Sequence, residues 1–152
     1  MSSREYRHIV RFLGTDLDGS LKIPYALARV RGIGVMLGYA IARAAKVDTE
    51  KRLGFLTEHE LQRLEEVAKD PLKYGIPSWM LNRRKDPVSG KDLQVYGSDL
   101  VFTIREDIRK EMMIKSWRGI RHSLGLKVRG QRTRTTGRVG TAVGVSRREA
   151  RA

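Results

Sequence analysis

The sequence predicts a mainly α protein with a short N-terminal strand, a β-hairpin-like insertion, a long amphipathic helix and an extended basic C-terminal tail. Three observations carry that expectation. Apolar residues recur at helical spacing from Ile23 to Ala45 and again from Val101 to Met112. A Gly-Ile-Gly step, Gly32 to Gly34, divides the first of these runs. The charge is lopsided: residues 115–152 hold 11 basic side chains and one acidic one, Glu149. That pattern describes a folded body followed by a cationic tail.

The elements follow in chain order. Tyr6, Ile9, Val10, Phe12 and Leu13 form a partly alternating, β-branched run that suits a short strand. TDLDGS, 15 to 20, reads as the turn after it. Asp16 and Asp18 resemble the start of a calcium loop, but Leu27 stands where the bidentate Glu is needed, so no metal site is expected. A helix begins near Ile23, with Pro24 in its first turn. Another runs from about Met36 to Ala45. The step between them makes a helical hairpin in which the glycines supply positive φ, Ile33 pins the turn to the core, and the amides opening the second helix face a phosphate. Arg29, Arg31 and Arg43 lie close by. This hairpin resembles the helix-hairpin-helix family of nucleic-acid backbone binders.

Thr57 and Glu60 match a capping box opening a helix that runs to about Lys69, with Leu61 and Leu64 on one face. His59 falls on its exposed side, and Pro71 ends it. Residues 71–97 read as an irregular arm with Pro87 and Gly90 at a hairpin tip and Arg83, Arg84, Lys85 and Lys91 around it. Trp79 stacks on a base or anchors the arm, and anchoring is the more ordinary role. From Ser98 a helix of about 20 residues spans roughly 30 Å. Val101, Ile104, Ile108 and Met112 share one face, which packs on the first domain or on another protein. Gly119 is expected to interrupt it, with IRHSLGL adding one more turn. Four segments result: a helical domain over 1–70, an arm over 71–97, a long helix with its short continuation over 98–125, and a tail over 126–152.

Composition narrows the function. The 152 residues are 40% hydrophobic and 32% charged, with a net charge of +14. Such a balance points to a polyanionic partner. The absence of cysteine excludes disulfides, thiolate metal sites and thiol catalysis. His8, His59 and His122 have no ligand-like spacing, and no catalytic residue or cofactor is assigned. The longest uncharged stretch, 32 to 42, is far short of the roughly 20 residues of a membrane span, and charges at positions 4, 5, 7 and 11 exclude a signal peptide there. A soluble, intracellular protein is expected. A membrane-surface role is disfavoured because acids are interspersed with bases along the long helix.

The most specific stretch is SWRGIRHSLGLKVRGQRTRTTGR, 116 to 138. Arg118, Arg121, Lys127, Arg129, Arg132, Arg134 and Arg138 recur every few residues, glycines let the backbone bend, and threonines offer hydroxyls. Guanidinium forks pair with phosphate oxygens, and a folded RNA supplies walls of them. Alone, the tail has too little apolar surface to order itself.

Arg121 to Leu126, Arg129-Gly130-Gln131-Arg132-Thr133 and Thr135 to Arg138 resemble the signature of the universal small-subunit ribosomal protein thirteen family, whose eukaryotic member is numbered eighteen. The Gly32-Ile33-Gly34 turn falls where that family has its own. IPSWMLNRRKDPVSGKD, 76 to 92, is similar to an insertion in archaeal and eukaryotic members. The resemblance implies a helix-two-turns-helix domain in a structural, non-enzymatic protein of the cytoplasmic ribosome. It implies contact with small-subunit ribosomal RNA in the head, with small-subunit protein nineteen, with large-subunit protein five across an intersubunit bridge, and with the peptidyl-site tRNA. RNA contact is carried onto Arg121, Arg129, Gln131, Arg132 and Arg138, which match the motif, and onto Arg118, His122, Gly32 and Gly34. Lys127 and Arg134 join on charge. Arg147, Arg148 and Arg151 are assigned to tRNA or RNA from the tail end. Candidate bridging surfaces are the outer face of the 98–118 helix and the basic hairpin tip. The alternative is a protein that grips the duplex-DNA backbone with its helical hairpin.

Overall fold

A computed structural model describes residues 6–135. Strands β1 (Ile9–Phe12) and β2 (Thr15–Asp18) pair antiparallel, with Ile9 opposite Asp18 and Phe12 opposite Thr15. Val10, Phe12 and Leu17 are buried on the inner face. The connection is Leu13-Gly14, both at positive φ (47° and 73°), the geometry of a tight two-residue hairpin turn. TDLDGS is therefore mostly strand and not the expected turn. The chain turns only after it, where the Asp18 carboxylate accepts the Ser20 N–H at 2.8 Å.

Two helices follow. The first, α1 (Ile23–Leu27), starts at Lys22 with Pro24 in its first turn and buries Ile23, Ala26 and Leu27. It packs on α2 (Val35–Ala44), which contributes Leu37, Ile41 and Ala42 to the same core. Next, α3 (Glu58–Lys69) adds Leu61, Leu64, Val67 and Ala68. Each fully buried Leu or Val side chain stabilises by about 1.5–3 kcal/mol. The capping box is complete: the Thr57 N–H donates to Glu60 Oε2 at 2.8 Å and the Glu60 N–H donates to Thr57 Oγ1 at 3.3 Å. The Thr57 N–H, more than any other group, holds the Glu60 carboxyl below its ordinary range.

The arm has little regular structure and many polar ties. Arg83 and Leu93 exchange backbone hydrogen bonds of 3.2 and 2.7 Å. At the tip, the Asp86 carboxylate accepts Arg83 Nε at 2.7 Å, the Ser89 N–H at 2.9 Å and the Ser89 hydroxyl at 2.8 Å. The Ser89 N–H first, then Arg83, hold its carboxyl well below the usual carboxylate range. Lys85 is at φ +48°, and its N–H donates to Asp92 Oδ1 at 2.8 Å. Trp79 is 69% exposed, so among the described residues it is not the anchor of the arm, whereas Leu81, two residues on, is buried.

Helix α4 (Gly97–Met113) buries no residue, so among the described residues the face that its periodicity marks as apolar is not a core face. Seventeen residues make it about 25 Å long. Ile114 and Lys115 end it, with Lys115 at φ +55°, and Ser116 then caps α5 (Trp117–Ser123) by accepting the Gly119 N–H at 3.0 Å. Gly119 is thus not the interruption. It lies inside α5, where an added Cβ would stand 2.1 Å from the Glu111 carbonyl oxygen. Glycine here permits close approach of two backbones. The chain divides into two compact units within α4, at residues 103 and 104.

Candidate nucleic-acid interface

The first surface is the turn between α1 and α2. Gly32 has φ +101°, and a Cβ on it would stand 2.4 Å from the Val95 carbonyl oxygen. Both facts require glycine. Gly34 differs: it is the N-cap of α2 at φ −91°, and nothing lies within 4 Å of the Cβ position. The expectation of positive φ holds for Gly32 and not for Gly34. Ile33 between them is buried, as a turn pinned to the core requires. The first turn of α2 carries no acidic residue and no side-chain cap. The leading N–H groups of such a helix point outward with a partial positive charge, which suits a phosphate. Arg29, Arg31 and Arg43 are all exposed.

The second surface begins at α5. Arg118 is exposed, and Arg121 and His122 are half-buried. The Arg121 guanidinium lies 5.8 Å from the Trp117 ring centroid, within cation–π range, and Nε donates to the Lys127 carbonyl at 2.8 Å. Arg121 therefore bends the chain from α5 into the tail. Beyond it, Lys127, Arg129, Gln131, Arg132 and Arg134 are exposed, on backbone that is neither helix nor strand. Arg138, Arg147, Arg148 and Arg151 lie outside the described residues. Gly32 and Gly34 belong to the first compact unit and the α5–tail residues to the second.

Sequence reasoning missed the residues that brace the first surface. Gln94 donates from Nε2 to the Gly32 carbonyl at 2.7 Å. Asn82 donates from Nδ2 to the Val95 carbonyl at 2.7 Å and accepts the Val95 N–H at 3.1 Å. The base of the arm is thereby tied to the Gly-Ile-Gly turn. Asn82 is the only asparagine in the chain, the one signal in the sequence that marked it. Among the described residues no cluster of His, Asp and Glu is placed to hold a metal ion, and no helix is long and apolar enough to cross a membrane.

These surfaces are the marks of a class of protein: small cationic scaffolds whose exposed amides and guanidinium groups suit a polyanion. The comparisons name the family within that class. Residues 11–139 match the profile described as ribosomal protein S13/S18. A small ribosomal subunit protein uS13 from Staphylothermus marinus is 58% identical over 147 residues, 97% of this chain and 97% of its own. Its counterpart from Hyperthermus butylicus is 57% identical over 145 residues, covering 95% and 96%. The one from Methanocaldococcus jannaschii is 50% identical over 149 residues, covering 98% and 99%. The chain belongs to the ribosomal protein S13/S18 family, structural proteins of the small ribosomal subunit and not enzymes.

Proposed function

We propose that this protein helps to build the head of the small subunit by binding its ribosomal RNA through two surfaces. The tail, with Lys127, Arg129, Gln131, Arg132, Arg134 and Arg138, threads among phosphates. The Gly32–Gly34 turn presents the amides of α2 to another stretch of backbone. Arg118, Arg121 and His122 lead the chain from one helix into the RNA. The observation that carries this reading is the concentration of 11 cations against one acid after residue 114, in a chain of this family.

The finer roles come from the resemblance: small-subunit protein nineteen as a neighbour, large-subunit protein five across a bridge, and the peptidyl-site tRNA near Arg147, Arg148 and Arg151. The exposed side chains of α4 and the basic arm tip are surfaces on which the protein contacts would fit. Deleting residues 139–152 should weaken peptidyl-site tRNA binding. Unchanged tRNA affinity removes that role from the tail.

The RNA contacts are tested by salt. Each phosphate neutralised steepens the decline of affinity with salt by about 0.7–0.9 in logarithmic slope. Arg129→Ala together with Arg132→Ala should lower the slope by about one to two units. A slope equal to that of the parent chain would remove these arginines from the interface.

A further inference from the structure

We propose that the arm is a preformed site for an unpaired RNA nucleotide: the Trp79 ring stacks on the base, and Arg84 and Lys85 hold the adjoining phosphates. The inference rests on the RNA-binding reading above and adds a site to it.

Trp79 is the starting point. An indole that is 69% exposed on a short turn has no packing role among the described residues. Its backbone is nevertheless well held. Met80 packs against the core, Leu81 is buried, and the Asn82 N–H donates to Gln94 Oε1 at 3.0 Å. A ring on a fixed backbone stacks on a base with little ordering entropy to lose.

The recess that opens at the adjoining Ser78 decides the class of partner. Ser78, Leu81, Asn82, Arg84, Lys85 and Asp92 line a surface recess of about 470 Å³ beside the turn. All but Leu81 are polar or charged, whereas a recess that docks a protein would be lined by more apolar residues. Each acid of the arm accepts a hydrogen bond from within the arm. Asp86 is enclosed by Arg83 and Ser89, and Asp92 accepts the Lys85 N–H. Arg84, Lys85 and Lys91 remain exposed, so the outward charge is positive. An exposed aromatic ring on the same short arm as exposed cations is the chemistry that binds single-stranded nucleic acid. Duplex RNA keeps its bases stacked and does not offer one to the ring.

The test uses the full chain carrying Trp117→Phe, which leaves Trp79 as its only indole. A short single-stranded RNA should quench Trp79 fluorescence saturably, and the same RNA annealed to its complement should quench it far less. Arg84→Ala with Lys85→Ala should weaken the quenching affinity about tenfold and lower its salt slope by about one to two units. Trp79→Ala should weaken retention of the same RNA about fivefold or more. If the chain retains RNA on a filter while Trp79 fluorescence is unchanged, the arm is not an RNA site, and the proposed function stands on the tail. If the parent chain retains no RNA, both readings fail. A photoreactive p-benzoylphenylalanine at position 79 supplies a second measurement in assembled small subunits. Cross-linking to RNA supports the proposal, and cross-linking to protein, or to nothing, overturns it.

Discussion

Two glycines separated by one isoleucine have different physical reasons to be glycine. Gly32 is required by its backbone and by the Val95 carbonyl. Gly32→Ala should destabilise the fold by about 1–3 kcal/mol, read as a lower midpoint in thermal melting. Gly34 has room for a side chain and ordinary φ, so Gly34→Ala should cost at most about 1 kcal/mol as a lost N-cap. Its larger effect should be on RNA, because the new methyl stands at the end of α2 where a phosphate would approach. A binding assay that finds full affinity for Gly34→Ala would exclude phosphate contact there. Asp86 adds a pH signature. Its carboxyl is held below the unfolded value of 3.8, so its contribution is present above about pH 4 and is lost as pH falls through the lower native value. Protection of the Ser89 amide against exchange, corrected for the intrinsic rate, should hold from neutral pH down to about pH 4 and fall only below it. Asp86→Asn should remove that acid-dependent step.

At the scale of elements, what the sequence revealed depended on how local the cause was. The capping box and stripe of α3 are written in consecutive residues, and both are present. So is the Gly-Ile-Gly turn with its buried isoleucine. The second strand was hidden because its turn is Leu13-Gly14, and a leucine at positive φ gives no turn signal. The Asp-rich segment after it looked more like a turn than the true one did. Gly119 was misleading for a related reason. A glycine that ends a helix and one that lets two backbones meet are identical in sequence, and only the Glu111 carbonyl distinguishes them. Gly119→Ala should therefore destabilise the α4–α5 junction by about 1–3 kcal/mol through overpacking and lower the helical signal in circular dichroism. An unchanged melt would mean that the two segments do not meet as described. For the candidate site, the cations were legible because charge is a property of the residue. The ties of Asn82 and Gln94 to the turn were not, because they join positions far apart in sequence.

At the scale of the whole molecule, charge and apolar surface are distributed as in a component and not as in a free-standing protein. The prediction at this level is assembly. On a sucrose gradient of lysate in high salt, this protein should sediment with the small subunit. Recovery at the top of the gradient would demote it to a peripheral factor and return attention to the helical hairpin and duplex DNA.

The unburied apolar residues of α4, α5 and the link between them have a further consequence. Met113 is 76%, Ile114 75% and Trp117 72% exposed, and each stands close in sequence to a lysine or arginine. A newly made copy that has not met its RNA displays sticky side chains and strong positive charge together, which invites clumping and indiscriminate binding to other nucleic acids. Surplus copies are thus a hazard to the cell that makes them.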